Sequence, residues 1–214
     1  MKNDAIPATK ISAIITDLGG VLINVNQSAM YAGLARHSSM SAEQIGKGFD
    51  PRVLSGHEIE LGKGLITPQT FFEIISKQLK LSSISFEEFK RIYSELFSLK
   101  EDALALIRSL SKKYPVAMMS NTNEMHYERW SKLLGKDIKL FKELILAFQI
   151  GYVKPQPQIY IEAAKRLGFE PQQCIFIDDM QEYVDAAKKV GMQGICFVSA
   201  QQLESDLEKL GVKA

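Results

Sequence analysis

Residues 11–24, ISAIITDLGGVLIN, contain the segment that decides the fold. Its apolar run ends in a single carboxylate, Asp17, and two glycines follow before the chain becomes apolar again. A nearly continuous apolar run of this kind is typical of a strand that is covered on both faces of a parallel sheet. The segment therefore predicts a buried first strand whose carboxyl end presents Asp17 beside a glycine turn.

Four later runs have the same apolar character and predict four further buried strands. Helical patterns lie between the later ones, over residues 101–113, 158–167 and 182–190. The second of these follows two prolines and stops at Gly168, which is a usual pairing of helix start and stop signals. Strands that alternate with helices predict an α/β fold, a Rossmann-like parallel sheet with helices on both faces. The four runs are residues 115–120, 144–148, 174–178 and 194–198.

Residues 26–98 interrupt this alternation. They carry large apolar residues at helical spacing, as in 71–79 and 86–97, and no strand-like run divides them. A parallel crossover needs one helix rather than roughly 70 residues of helices. We therefore predict a core of residues 1–25 and 99–214 with a helical domain, residues 26–98, inserted after the first strand. The alternative is that these are simply the first helices of the main domain.

Composition sets the broad class of the protein. The chain has 214 residues, 46% hydrophobic and 24% charged, with a net charge of +1. This balance is typical of a soluble globular protein and predicts no nucleic-acid or membrane partner. Cys174 and Cys196 lie in or beside apolar runs and are interpreted as buried thiols in a reducing cytoplasm. The sequence leaves open whether the protein is a monomer or a homodimer.

Polar residues follow four of the predicted strands. The first strand ends at Asp17, the second at Ser120, and the fourth at Asp178 and Asp179, while Lys154 lies in the loop after the third. Ligands of open parallel sheets bind outside the carboxyl ends of the strands. Each of these residues alone is most often a turn, cap or surface residue. Four such groups at one edge of a predicted sheet favour a shared site instead.

The chemistry of such a site follows from its charge. Three close carboxylates repel one another, and a divalent cation with oxygen ligands, such as Mg²⁺, would relieve the repulsion. A metal, an ammonium group and a hydroxyl group together attract a phosphate dianion and neutralise charge during phosphoryl transfer. A carboxylate in line with the phosphorus can attack it and form an aspartyl-phosphate.

These segments resemble the four motifs of the haloacid dehalogenase superfamily of hydrolases in order and spacing, and the resemblance covers essentially the whole chain. The helical insert is similar to the cap of the subfamily that includes small sugar phosphatases. Within that group, DLGG and SNTNEMHYERW are most similar to the bacterial glucose-1-phosphate phosphatase branch. The four motifs are TDLGGVL with Asp17, MSNTN with Ser120, GYVKPQPQIY with Lys154, and FIDDMQEYVDAAKKVGM with Asp178 and Asp179.

The resemblance implies a metal site and a covalent mechanism. Asp17 would be the nucleophile and a ligand of Mg²⁺. The backbone carbonyl of Gly19 and the carboxylate of Asp179 would complete the protein ligands. Asp178 would support the metal through water or an outer hydrogen bond.

The resemblance also implies a phosphate site and a substrate class. Ser120 and the backbone N–H of Asn121 would bind phosphoryl oxygens, and Lys154 would bridge the nucleophile and the phosphate. The function implied is Mg²⁺-dependent hydrolysis of a small phosphate ester, such as a sugar phosphate, with the cap closing over the site and choosing the leaving group.

Two positions depart from the family pattern. Gly19 stands where most phosphatases of the superfamily hold an Asp as general acid, and Tyr183 stands where the fourth motif often has Asn. General acid catalysis is typically worth ~10²–10⁴-fold, so its loss favours leaving groups that depart easily. We therefore predict a preference for anomeric over terminal sugar phosphates. His126 and His57 are the candidate substitute acids, although surface or packing roles are the alternative for each.

The most polar stretch of the insert supplies candidates for contact with substrate hydroxyl groups. It contains His57, Glu58, Glu60 and Lys63, of which His57 and Glu60 are taken as the site candidates. A solvated helix end is the alternative interpretation of the same stretch.

Two rival functions remain at this point. In a 2-haloacid dehalogenase Asp17 would attack carbon without a metal, and Arg36 or Arg52 would hold the substrate carboxylate. In a catalytically weak binding or regulatory module the phosphate site would persist without efficient turnover, as the departures at Gly19 and Tyr183 suggest.

Overall fold

A five-stranded parallel sheet forms the centre of the protein in a computed structural model, which describes residues 10–49 and 56–214. The strands are β1 (Ala13–Thr16), β2 (Ile23–Val25), β3 (Phe97–Leu99), β4 (Val116–Ser120), β5 (Glu143–Leu146), β6 (Cys174–Asp178) and β7 (Gln193–Cys196). The order in the sheet is β5-β4-β1-β6-β7, and every neighbouring pair is parallel. The predicted α/β class with a Rossmann-like parallel sheet is therefore confirmed.

Helices cover the sheet and fill the long segment between β2 and β3. They are α1 (Gln27–Ala35), α2 (Ala42–Gly48), α3 (His57–Gly62), α4 (Pro68–Gln78), α5 (Phe86–Ser94), α6 (Glu101–Leu110), α7 (Glu124–Leu134), α8 (Ala147–Ile150), α9 (Pro157–Leu167), α10 (Gln181–Lys189) and α11 (Ala200–Lys209), with 3₁₀ helices at Gly135–Leu140 and Pro171–Gln173. The helix α9 begins at a proline and ends before Gly168, whose φ of 86° is left-handed. The start and stop signals read from the sequence thus mark this helix correctly.

The two faces of the sheet carry two separate apolar cores. Along β1, Ile14 packs on the side of α6, α7 and α11, whereas Ala13 and Ile15 pack on the side of α9 and α10. Successive strand residues point to opposite faces, so both faces must be apolar when both are covered. This explains why the strand runs are continuously apolar rather than alternating.

The five helices α1 to α5 have a third apolar core of their own. Phe71, Phe89 and Tyr93 lie at its centre, and Met125 of α7 joins it to the main body. An antiparallel pair, β2 with β3, brings the chain back from these helices, with Val25 opposite Phe97. The prediction that residues 26–98 contain no strand is wrong at its end, because β3 begins at Phe97. The division of the chain into two domains stays a prediction.

Two further expectations concern membranes and thiols. None of the helices within residues 10–49 and 56–214 has the length and apolar composition needed to cross a membrane. Both cysteines are free. Cys174 is buried as predicted, but Cys196 is only half-buried because it lies on β7, at the edge of the sheet.

The third core gives a test of stability. The ring centroid of the fully buried Phe89 lies 5.0 Å from that of Phe72 and 5.4 Å from that of Tyr93. Phe89→Ala should therefore lower the free energy of unfolding by about 3–5 kcal/mol, measured by urea unfolding followed by circular dichroism. The control is Leu65→Ala, because Leu65 is 70% exposed. This variant should change the free energy of unfolding by no more than about 0.5 kcal/mol. Equal losses in the two variants would contradict this packing.

Candidate active site

Three strand ends meet at one edge of the sheet. Asp17 follows β1, Ser120 ends β4, and Asp178 ends β6. Because β1 lies between β4 and β6 and all three are parallel, their carboxyl ends lie side by side. The backbone N–H of Asp17 continues the ladder by donating to the carbonyl of Ile177 at 2.8 Å. The topology therefore brings together the first, second and fourth sequence motifs.

Lys154 joins two of these strand ends by direct ion pairs. Its Nζ lies 2.8 Å from Asp17 Oδ1 and 2.6 Å from Asp178 Oδ2. The exposed fractions of Lys154, Asp17 and Asp178 are 3%, 7% and 0%. Burial opposes the charge on the lysine, but the two carboxylates raise its pKa above the ordinary value. Lys154 therefore remains an ammonium group at the centre of the site.

Two neighbours fix the position of Lys154. The Asn121 side chain accepts a hydrogen bond from the backbone N–H of Lys154 at 2.8 Å and donates one to its carbonyl at 3.0 Å. The ring centroid of Tyr183 lies 5.0 Å from the ammonium nitrogen, a distance typical of a cation–π contact. Tyr183, which departs from the family pattern, thus packs on the lysine.

The acidic groups of the site fit a divalent cation. Asp17, Asp178 and Asp179 each offer a carboxylate oxygen, and these oxygens all lie within 4.8 Å of one another. Burial raises the pKa of Asp17 to about 7, with Lys154 opposing and Asp178 adding to the rise, and burial likewise raises that of Asp178. One ammonium group cannot balance three carboxylates. Hard oxygen donors with excess negative charge are the ligand set that Mg²⁺ prefers.

The glycine turn after Asp17 has one position that requires glycine and one that does not. Gly20 has a left-handed φ of 73°, and a Cβ there would lie 2.1 Å from Asp179 Oδ2. Gly19 lies outside the left-handed region, and its Cβ would meet only Val25 Cγ2, at 3.6 Å. The backbone therefore does not forbid a Cβ at Gly19.

A cavity of 570 Å³ opens between these strand ends and α3. Gly19, Ser120 and Lys154 line it on the side of the sheet, and Glu58 and Ile59 line it on the side of α3. The remaining wall is largely apolar and aromatic. The cavity is thus large enough for a small ester whose phosphate lies at the strand ends and whose other half extends toward α3.

A hydrogen-bonded chain connects α3 to the end of β4. The Tyr93 hydroxyl donates to Glu58 Oε1 at 3.4 Å, and Asn123 Nδ2 donates to the same hydroxyl at 3.4 Å. Burial raises the pKa of Glu58 to about 7 and that of Tyr93 well above 10.0. From the sequence, Tyr93 is recognisable only as an apolar-face residue of a helix. The hydrogen bonds of its hydroxyl depend on contacts between distant segments, which no local pattern reveals.

The histidines proposed as substitute acids have other partners. His126 donates from Nε2 to the Tyr93 carbonyl at 3.1 Å, and its Nδ1 lies 3.2 Å from Asn123 Nδ2. Burial lowers the pKa of His126 to about 4, so its ring is neutral near pH 7 and has no acidic proton to give. His57 Nδ1 lies 2.7 Å from Glu60 Oε2.

The structure does not bring several sequence candidates to the cavity. Of the described residues that line it, Glu58 is the one polar candidate taken from the stretch 57–63, and His57, Glu60 and Lys63 are not among them. Arg36 lines a different depression, between α1 and α5. Arg52 lies outside the described residues. The dehalogenase interpretation thus has no guanidinium group in the described part of the cavity wall.

Similarity to known proteins extends over the whole site. The family model described as haloacid dehalogenase-like hydrolase matches residues 11–191. The flavin mononucleotide hydrolase 1 of Arabidopsis thaliana is 32% identical over 72% of this chain and 62% of its own length. The phosphorylated carbohydrates phosphatase of Thermotoga maritima is 27% identical over 86% of this chain and 84% of its own. The chain thus spans less than two thirds of the Arabidopsis protein, and only 18% and 19% of two longer curated relatives.

A solved structure shows the same arrangement of elements. It is the magnesium complex of a HAD-family enzyme of Bacteroides thetaiotaomicron, with 25% identity and a TM-score of 0.78. The superposition covers 94% of this chain and 100% of that one. The likeness therefore includes the helical segment between β2 and β3 as well as the sheet.

The two glycines of the turn should respond differently to substitution. Gly20→Ala should lower the free energy of unfolding by about 1–3 kcal/mol, because it places a Cβ in a left-handed residue and against Asp179. Gly19→Ala should leave it unchanged or raise it by up to about 1 kcal/mol. Thermal or urea unfolding of the two variants measures this. A loss at Gly19 as large as that at Gly20 would contradict the geometry of the turn.

Proposed function

The chain belongs to the haloacid dehalogenase-like hydrolases, and we propose that within this family it is a Mg²⁺-dependent phosphatase of a small phosphorylated metabolite. The observation that carries the proposal is the buried array of Asp17, Lys154 and Asp178, whose lysine lines the cavity together with Ser120. Relatives named as hydrolases of flavin mononucleotide and of phosphorylated carbohydrates support the phosphate ester as substrate class.

The proposed reaction begins with attack by Asp17. One of its carboxylate oxygens forms a bond to phosphorus as the bond from phosphorus to the ester oxygen breaks, which leaves an aspartyl-phosphate. The Lys154 ammonium group favours the ionised form of the carboxylate and draws the phosphate dianion toward it. The Ser120 hydroxyl donates to a phosphoryl oxygen. Attack of water on phosphorus then releases inorganic phosphate and restores Asp17.

The proposed metal ligands are Asp17, Asp179 and the carbonyl of Gly19, with Asp178 in an outer position. When bound, Mg²⁺ supplies positive charge that neutralises the phosphoryl oxygens during transfer. The solved magnesium complex of a protein with the same fold supports Mg²⁺ as the cation. The three converging carboxylates of this chain support it independently.

The charge of the site favours phosphate chemistry over dehalogenation. A 2-haloacid carries its own carboxylate, and a dehalogenase must hold that group with a cation separate from the nucleophile. Arg36 lies elsewhere, and Lys154 is already engaged by two carboxylates. A phosphate ester bound together with a divalent cation suits three carboxylates better.

We also propose that α1 to α5 form a cap that selects the leaving group. Their residues Glu58 and Ile59 lie across the cavity from Ser120 and Lys154. The leaving half of an ester attacked by Asp17 points away from the strand ends and therefore toward this helical segment. A cap in this place would also limit the access of water during phosphoryl transfer.

The first test is phosphate release from p-nitrophenyl phosphate with Mg²⁺ and with EDTA. We expect release with Mg²⁺, loss of release with EDTA, and a fall in kcat on the order of 10³-fold or more in Asp17→Asn, which removes the nucleophile. Glu60→Gln is the matched control, because Glu60 pairs with His57 outside the cavity. Full activity in EDTA or in Asp17→Asn would overturn the proposed function.

A second test compares two sugar phosphates. The alcohol of an anomeric phosphate departs more readily than a primary alcohol, so an anomeric phosphate should react faster whichever group protonates the leaving oxygen. We expect a higher kcat/KM for glucose-1-phosphate than for glucose-6-phosphate. The opposite order would contradict the predicted preference for anomeric phosphates.

A further inference from the structure

We propose that Glu58, on α3, is the acid that protonates the leaving oxygen, the task for which Gly19 has no side chain. The inference rests on the proposed phosphatase function and concerns the same site. It assigns a catalytic role to a residue of the helical segment rather than to the glycine turn.

The first reason for this inference is that Glu58 lies in the wall of the cavity. It lines the same cavity as Gly19, Ser120 and Lys154, but it belongs to α3 rather than to the strand ends. In phosphoryl transfer the attacking and leaving oxygens lie roughly in line through phosphorus. With Asp17 attacking from the strand ends, the leaving oxygen points into the cavity toward α3.

The hydrogen bonds of Glu58 leave one of its oxygens available. Oε1 accepts from the Tyr93 hydroxyl at 3.4 Å, and within residues 10–49 and 56–214 no hydrogen bond to Oε2 is found. Tyr93 is fixed in turn by Asn123, whose Nδ2 donates to its hydroxyl. The carboxyl group is thus oriented through one oxygen and can carry a proton on the other.

The other groups that face the cavity are poor proton donors. His126 is neutral and has partners on both ring nitrogens. Lys154 is held by two carboxylates, and burial raises the pKa values of Tyr93 and Tyr183. Among the described residues of the cavity wall, Glu58 is the remaining side chain that can exchange a proton near neutral pH.

The surroundings of Glu58 support a proton-bearing form. Among the described residues, the titratable groups that face Glu58 are Tyr31 of α1 and Tyr93 of α5. Glu43 and Lys47 of α2 line an adjoining depression and pair with each other at 2.8 Å. Burial raises the pKa of Glu58 to about 7. An acid whose pKa lies near the working pH is the most effective proton donor and acceptor.

The proposed step balances in both halves of the reaction. As Asp17 bonds to phosphorus and the ester bond breaks, the Glu58 proton moves to the leaving oxygen and gives a neutral alcohol and a carboxylate. In the second half that carboxylate takes a proton from water as the water oxygen attacks phosphorus. The bond to Asp17 then breaks, and Glu58 is again protonated for the next cycle.

The test compares the effect of Glu58→Gln on kcat/KM for a substrate with a poor leaving group and for one with a good leaving group. The amide preserves size and can accept a hydrogen bond from Tyr93, but it has no acidic proton to transfer to the leaving oxygen. We expect kcat/KM on glucose-6-phosphate to fall by ~10²–10⁴-fold, and kcat/KM on p-nitrophenyl phosphate, whose phenolate leaves unprotonated, to fall by less than ~10-fold. The ratio kcat/KM reports the steps up to departure of the leaving group, so a slower second half does not obscure the result. Glu60→Gln again serves as the control.

A second variant separates acid catalysis from structural loss. A Cβ at Gly19 would make only an ordinary contact with Val25 Cγ2, at 3.6 Å, so Gly19→Asp in the Glu58→Gln background should restore kcat/KM on glucose-6-phosphate by at least ~10-fold. A similar loss on both substrates, or no rescue, would overturn the role of Glu58. Both results require wild-type turnover of p-nitrophenyl phosphate, and its absence would instead overturn the proposed function.

Discussion

The Lys154 ammonium group lies between the carboxylates of Asp17 and Asp178, almost without contact with solvent. Burial, together with their mutual repulsion, favours the neutral form of these two carboxyl groups, and a neutral Asp17 would be a weak nucleophile. The ammonium group opposes this but cannot balance three acids once Asp179 is counted. The remaining negative charge gives the site its expected affinity for a divalent cation, and the two cations together suit a phosphate dianion.

The strand order and one side-chain contact produce this arrangement of charged groups. Parallel strands with β1 at the centre place three carboxyl ends side by side, and Asn121 ties the Lys154 loop to the end of β4. The wall of the cavity that we propose selects the leaving group comes from α3 and α5. Two long hydrogen bonds, from Asn123 to Tyr93 and from Tyr93 to Glu58, orient the Glu58 carboxyl group in this wall.

The parts predicted from sequence are those that local patterns specify. Continuous apolar runs mark the parallel strands, and motif order places Asp17, Ser120, Lys154 and Asp178 at one sheet edge, because strand ends in such sheets coincide. Roles of single polar residues in the helices were not predictable. Glu58 shares its polar stretch with His57 and Glu60, and the packing of α3 against α5, through contacts distant in sequence, decides which of them faces the cavity. The short strand β3 was missed because three residues carry little periodic signal.

The central claim is that Asp17 becomes covalently phosphorylated. The most direct measurement is a rapid acid quench of the protein with Mg²⁺ and p-nitrophenyl phosphate, followed by peptide mapping by mass spectrometry. The account predicts a phosphoryl group on Asp17 that is lost as turnover proceeds and is absent in Asp17→Asn. Turnover with an unmodified Asp17, or a phosphoryl group on another residue, would contradict the account.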